Sequence, residues 1–106
     1  MSRCYKTLLA MGKISSYIDD DGNGGFHFHC PACGFAHGVF TSGNKKQVPI
    51  WKWNGDEEKP TFSPSINCVN KQLNIKCHSF VENGMIRFLG DCTHQMKGTT
   101  VELPDF

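Results

Sequence analysis

This chain lacks three things that usually announce a function: an excess of charge, a long apolar run and a familiar catalytic signature. Its 106 residues carry 11 basic and 10 acidic side chains, a formal net charge of +1. A strong general pull on nucleic acid or an anionic membrane is therefore excluded, and basic character survives only locally, as at Lys45-Lys46. The N-terminal stretch "MSRCYKTLLAMGKISS" offers a four-residue apolar run before a lysine, without the length or flanks of a signal peptide. No run is long enough to span a bilayer, so a cytoplasmic setting is expected. There is no Gly-x-Ser-x-Gly, no His-Glu-x-x-His and no phosphate loop. The zinc deaminase signature is missing too, because no Glu stands two residues after a His ahead of the cysteine pair.

What the chain does have is six cysteines and five histidines. A reducing compartment disfavours structural disulfides, so closely spaced Cys and His residues there read as metal ligands. The stretch "HFHCPACGFAH" (27–37) contains Cys30-Pro31-Ala32-Cys33-Gly34, half of a tetrahedral zinc site, with Gly34 permitting the tight bend behind it. For the other half the candidates are Cys77-His78 and Cys92-Thr93-His94. The leading ligand set is Cys30, Cys33, Cys77 and His78, with Cys92, His94 and His37 as alternates. Neighbouring strand residues point to opposite faces, so Cys77 and His78 can share one metal only if the strand is irregular there. His27 and His29 are expected to face solvent. Cys4 and Cys68 have no partner at ligand spacing and read as free thiols.

The expected fold is mainly β: one small domain over 1–106, built of antiparallel hairpins and pinned by one zinc through a zinc-ribbon-like knuckle. Residues 1–12 would form a short helix or an extended arm, with "YKTLLAM" as the helical stretch. Strands are expected at "KISSYI", "FHFHC", "GVFT", "VPIWKW", "SINCV", "LNIKCHSFV", "MIRFLG" and "TTVEL", separated by turn signals. At Glu82-Asn83-Gly84 two registers compete. A three-residue loop pairs Val81 with Met85 and gathers His78, Phe80, Ile86, Phe88, Gly90 and Cys92 on one face; it collects more apolar surface and is preferred. A two-residue Asn-Gly turn would instead gather Cys77, Val81, Ile86, Phe88 and Cys92, since one residue of slip exchanges the faces.

Two further stretches have plain readings. "DDDGNG" (19–24) resembles the start of a calcium loop, but the twelfth position is Cys30 rather than Glu, and a hairpin turn explains it better. Trp51 and Trp53 alternate on one strand, which suits core packing or one edge of a groove more than a base-stacking platform. If the metal were catalytic it would need an open position and a base, for which Asp91 and Glu58 are the acids to test. A thiolate-rich shell favours a closed, structural site.

The stretches "WKWNGDEEKPTFSPSI", "CHSFVENGMIRFLGDCTH" and "GTTVELPDF", with "FHCPACGFAH", resemble a family of small phage and prophage proteins over residues 26 to 106. Members sometimes carry the label ammonia monooxygenase, which a chain without membrane spans does not support. More distant relatives lie beside bacterial ubiquitin-like conjugation genes. Their knuckle falls on Cys30 and Cys33 and their histidine on His78, whereas their third cysteine falls at Ile75, with Cys77 the nearest replacement. The resemblance implies a zinc-binding β domain of phage origin, in the host cytoplasm, and no reaction. The function expected on these grounds is a non-enzymatic interaction module acting on a host protein. The alternative is a small zinc-dependent hydrolase using His37, His78 or His94 as ligands and Asp91 or Glu58 as base. A nucleic-acid-binding ribbon ranks third.

Overall fold

The computed structural model describes residues 12–43 and 49–106, which form two antiparallel sheets and contain no helix. The N-terminal stretch "YKTLLAM", Cys4 and Lys45-Lys46 lie outside the described residues. The first sheet has the order β1(Ile14–Ile18), β2(Gly24–His29), β3(Ala36–Ser42). The second runs β4(Lys52–Trp53), β5(Phe62–Asn70), β6(Ile75–Glu82), β7(Met85–Phe88), β8(Thr100–Glu102). Both are meanders, in which strands adjacent in sequence pair in space. The inward residues Phe26, Phe28 and Val39 of one sheet and Phe62, Ile66, Val81, Ile86 and Phe88 of the other make one core. Phe26 meets Trp53 at 4.3 Å between ring centroids and Phe28 stacks on Phe62 at 6.4 Å. Each such aromatic pair adds about 1 kcal/mol to the area it buries.

The local chemistry follows the sequence in most places. Asp19 Oδ1 accepts hydrogen bonds from the backbone N–H groups of Asp21 and Asn23, and Gly22 sits at φ 84°, so "DDDGNG" is the β1–β2 turn. Phe26 and Phe28 alternate inward; His29 is exposed and stacks on Phe106, while half-buried His27 stacks on Tyr17. Of the strand expected over 48–53, the described residues 49–53 keep only Lys52–Trp53, because Trp51 turns its N–H to Phe40 O (2.7 Å) and so bridges the two sheets.

The preferred hairpin register does not form. Glu82 faces Met85 and Val81 faces Ile86, so Asn83 and Gly84 alone make the turn, at φ 52° and 77°. Two successive left-handed residues give a type I′ turn, whose twist matches that of the strands. Cys77, Val81, Ile86, Phe88 and Cys92 are consequently all buried, and His78 moves to the opposite face.

β5 carries the main irregularity. Its pairing with β6 jumps from Phe62↔Val81 to Ile66↔Ser79, so Ser63, Pro64 and Ser65 bulge out opposite Phe80. Proline within a strand belongs at such a bulge, and a bulge re-aims the side chains it contains. Trp51 Nε1 fixes this one by donating to Pro64 O (3.1 Å) and Ser65 O (3.2 Å).

Candidate active site and thiol cluster

On the inner side, four ligand-type residues converge. After β2 the chain makes the expected knuckle: Gly34 N–H donates to Cys30 O (3.1 Å), Cys33 N–H to Cys30 Sγ (3.4 Å), and Gly34 sits at φ 80°. His37 comes from β3 and Cys77 from β6, and the ligand atoms of Cys30, Cys33, His37 and Cys77 lie within 4.8 Å of one another. These four could hold a metal ion. Cys30 Sγ stands 3.9 Å from Cys77 Sγ, close to the edge of about 3.8 Å expected between two thiolates bound tetrahedrally to zinc. It is far too long for a disulfide, and the described cysteines are free. His37 is buried, and its Nε2 has no hydrogen-bond partner. An orphaned ring nitrogen beside three thiols is what a missing fourth ligand bond would leave.

Electrostatics within the cluster favour one shared anion. The Cys77 thiol donates to Cys30 and outweighs burial, so Cys30 titrates far below a free thiol, at about 3. Burial, then repulsion from Cys30, pushes Cys33 up to about 11, and the bond to Cys30 pushes Cys77 up further still. Burial alone would lower His37, but the neighbouring Cys30 and Cys68 sulfurs hold it up at about 9. Cys68 is thus not isolated: it pairs with Cys77 across β5–β6.

Among the sequence candidates, Cys30, Cys33, Cys77 and His37 come together, and His78 does not join them. Cys92 and His94 form a second group with Cys77. In that group Cys92 Sγ accepts from His78 N–H and donates to His78 O, both at 3.2 Å. His94 packs edge-on against Phe88 at 4.6 Å and accepts from Met96 N–H at Nδ1. Glu58 lies far along the sheet, beside the Asn83-Gly84 turn.

His78 has other partners on the outer face. Its Nε2 is 3.0 Å from Ser65 Oγ, and its Nδ1 is 3.1 Å from Asp91 Oδ2. Ser65 is supplied by the β5 bulge, His78 by the middle of β6, and Asp91 by the turn after β7. With its proton on Nδ1 facing Asp91, the imidazole leaves Nε2 free to accept from the serine hydroxyl. This serine, histidine and carboxylate chain is the arrangement that activates a serine nucleophile, and it is recognised by geometry rather than by order along the sequence. Lys76 Nζ reaches the same Asp91 oxygen at 3.0 Å. That ammonium, followed by the bond to His78, holds the Asp91 carboxyl below its ordinary range and keeps it ionised.

Sequence reading named His78 and Asp91 for other roles and missed Ser65. Ser65 has no local motif, and only the bulge turns it toward His78. The available signal lay in two dipeptides, Cys77-His78 and Asp91-Cys92, each pairing a residue for the core with one for the surface.

A search of the curated proteins and of the solved structures finds no significant match. A family profile, described as bacterial ubiquitination-like system serine protease (BubE), matches residues 3–89. The match includes Ser65 and His78 and ends two residues before Asp91. It overturns the expected non-enzymatic module, because the family it describes is enzymatic, and the alternative of a hydrolase fits better, though not as a zinc-dependent one. Matched over well more than half of its length, the chain belongs to the bacterial ubiquitination-like system serine protease family.

Proposed function

We propose that the chain is a serine protease in which Ser65 is the nucleophile, His78 the general base and acid, and Asp91 the group that orients the imidazole. The continuous hydrogen-bonded chain from Ser65 Oγ through His78 to Asp91 carries this reading, and the family match supports it. Ser65 Oγ attacks the carbonyl carbon of an amide as its proton passes to His78 Nε2. The tetrahedral intermediate collapses when His78 returns that proton to the leaving amine, which departs and leaves an acyl-serine. Water then enters by the same route in reverse order and releases the acid. Asp91 stays ionised throughout and stabilises the imidazolium that forms twice per cycle. The family description suggests that the amide belongs to a substrate of a bacterial ubiquitination-like system. The test is labelling by a fluorophosphonate, which reacts only with an activated serine: wild type should label at Ser65, and Ser65→Ala should not. Labelling of any other residue sinks the assignment.

The same reading gives the thiol cluster a structural role. Cys30, Cys33, His37 and Cys77 would hold zinc, which suits three sulfur ligands and one nitrogen in a closed tetrahedron. When bound, the ion would supply cross-linking and no acyl chemistry, because four protein ligands leave no open position. It would tie β2 and β3 to β6, and so fix the strand that carries His78 one residue after Cys77. Metal analysis of protein purified without chelator should return one zinc per chain; a different metal, or none, overturns this part alone.

A further inference from the structure

Beyond Ser65, one edge of β5 has no partner strand among the described residues. β4 pairs only with Phe62 and Ser63 and then leaves toward Phe40. On the side away from β6, no described strand pairs with Ile66–Asn70. Proteins usually blunt such an edge with lysine, proline or a bulge to prevent unwanted pairing. This one reads Ile-Asn-Cys-Val-Asn, with no charge and no proline, and its bulge lies upstream at the nucleophile rather than along the edge. Where the edge ends, Phe35, Cys68, Val69, Asn70 and Ile75 line a cavity of about 160 Å³. The apolar side chains around it are open to solvent: Phe35 is 42% exposed, Val69 54% and nearby Leu73 64%. An uncharged strand edge, with an apolar pocket some four residues beyond a nucleophilic serine, has the features of a site for strand addition, in which main-chain bonds supply affinity and a pocket supplies selectivity.

The geometry points to Ile66–Asn70 as the docking edge for an extended segment of the polypeptide substrate, with one apolar side chain of that segment seated between Phe35, Cys68 and Ile75. This rests on the protease reading above and adds a recognition rule to it. A rise of about 3.3 Å per residue puts the pocket roughly 13 Å from Ser65. The preferred apolar residue therefore lies about four positions from the scissile bond. The occupant is the substrate rather than a second copy of the chain, because the edge begins at the reacting serine, and a segment added there is delivered to its Oγ.

The experiment is competition against fluorophosphonate labelling of Ser65, using two decapeptide pools, one containing Leu and Val and one restricted to polar residues. Each variant is compared with its own labelling rate without peptide. The apolar pool should slow labelling of wild type at least about fivefold at a concentration where the polar pool has no effect. Val69→Lys, which charges the edge, and Phe35→Ala, which removes one pocket wall, should each abolish that protection. Equal protection by both pools, or protection that survives both substitutions, overturns the docking edge while the triad stands. Wild type that never labels overturns the triad and the docking edge with it. If Val69→Lys instead converts a dimer into a monomer and protection is unchanged, the edge pairs copies of the chain and the proposal fails.

Discussion

The two faces of β6 hold neighbouring residues with opposite fates. Cys77 points inward, is almost fully buried, and faces thiols and an imidazole with nothing polar to spare. His78 points outward, is partly open to solvent, and sits between a hydroxyl and a carboxylate. The inner face favours a permanent bond, since a buried thiolate without a partner is costly. The outer face favours a proton carrier, because exchange with substrate and water needs access. Cys92 joins the faces: its buried sulfur brackets the His78 backbone, while the residue before it supplies Asp91.

The comparison breaks most completely at Cys77. Cys77→Ser should eliminate bound metal and lose the cooperative thermal transition along with labelling, because a structural site contributes to folding on the scale of the whole stability of a small domain. Metal analysis and melting read this together, and a variant that keeps both metal and fold would show the cluster to be dispensable.

Ser65→Ala should act on the outer face alone. Amide hydrolysis should fall by about 10³-fold or more, with metal content and melting temperature unchanged. A matching loss of stability would mean that Ser65 serves the bulge rather than the reaction.

A smaller effect is expected where the faces meet. Cys92→Ala leaves the His78 N–H without its acceptor, at a cost of about 1–3 kcal/mol, whereas His78 O keeps its bond from Leu89 N–H. kcat should fall with one metal per chain retained, and Cys92→Ser should recover part of it, since a hydroxyl can also donate and accept. Loss of the metal in both variants would place Cys92 in the metal shell instead.

The smallest change concerns Lys76. Its ammonium is the main cause of the depressed Asp91 carboxyl, so Lys76→Met should raise that carboxyl toward its ordinary value. Activity that needs ionised Asp91 should then fail at a less acidic pH than in wild type. The stabilising bonds of Asp91 are present above the ordinary carboxylate pKa and vanish as pH falls through the lower folded value. Both groups are nearly half exposed, so added salt should narrow the difference. An acid limb that does not move would separate Asp91 from the rate.

The strand content and the knuckle were legible in the sequence because they rest on local rules: alternation, turn residues and the spacing of two cysteines around a bend. The hairpin at Asn83-Gly84 shows where such rules run out. Both registers satisfied alternation, and apolar area alone favoured the one that places His78 with Phe80 and Cys92. Turn geometry chose the other, and that slip of one residue took His78 off the face that carries Ile86, Phe88 and Cys92.

By itself, then, the sequence determined a β-rich chain, a Cys30–Cys33 half-site and the presence of chemistry-bearing pairs at 77–78 and 91–92. Each of those follows from residues within a few positions of one another. Only the tertiary structure decided that His37 completes the thiol cluster and that Ser65 completes a triad with His78 and Asp91. Those associations depend on strand register and on the β5 bulge, which sum contacts from residues far apart in the chain, and no local pattern carries that sum.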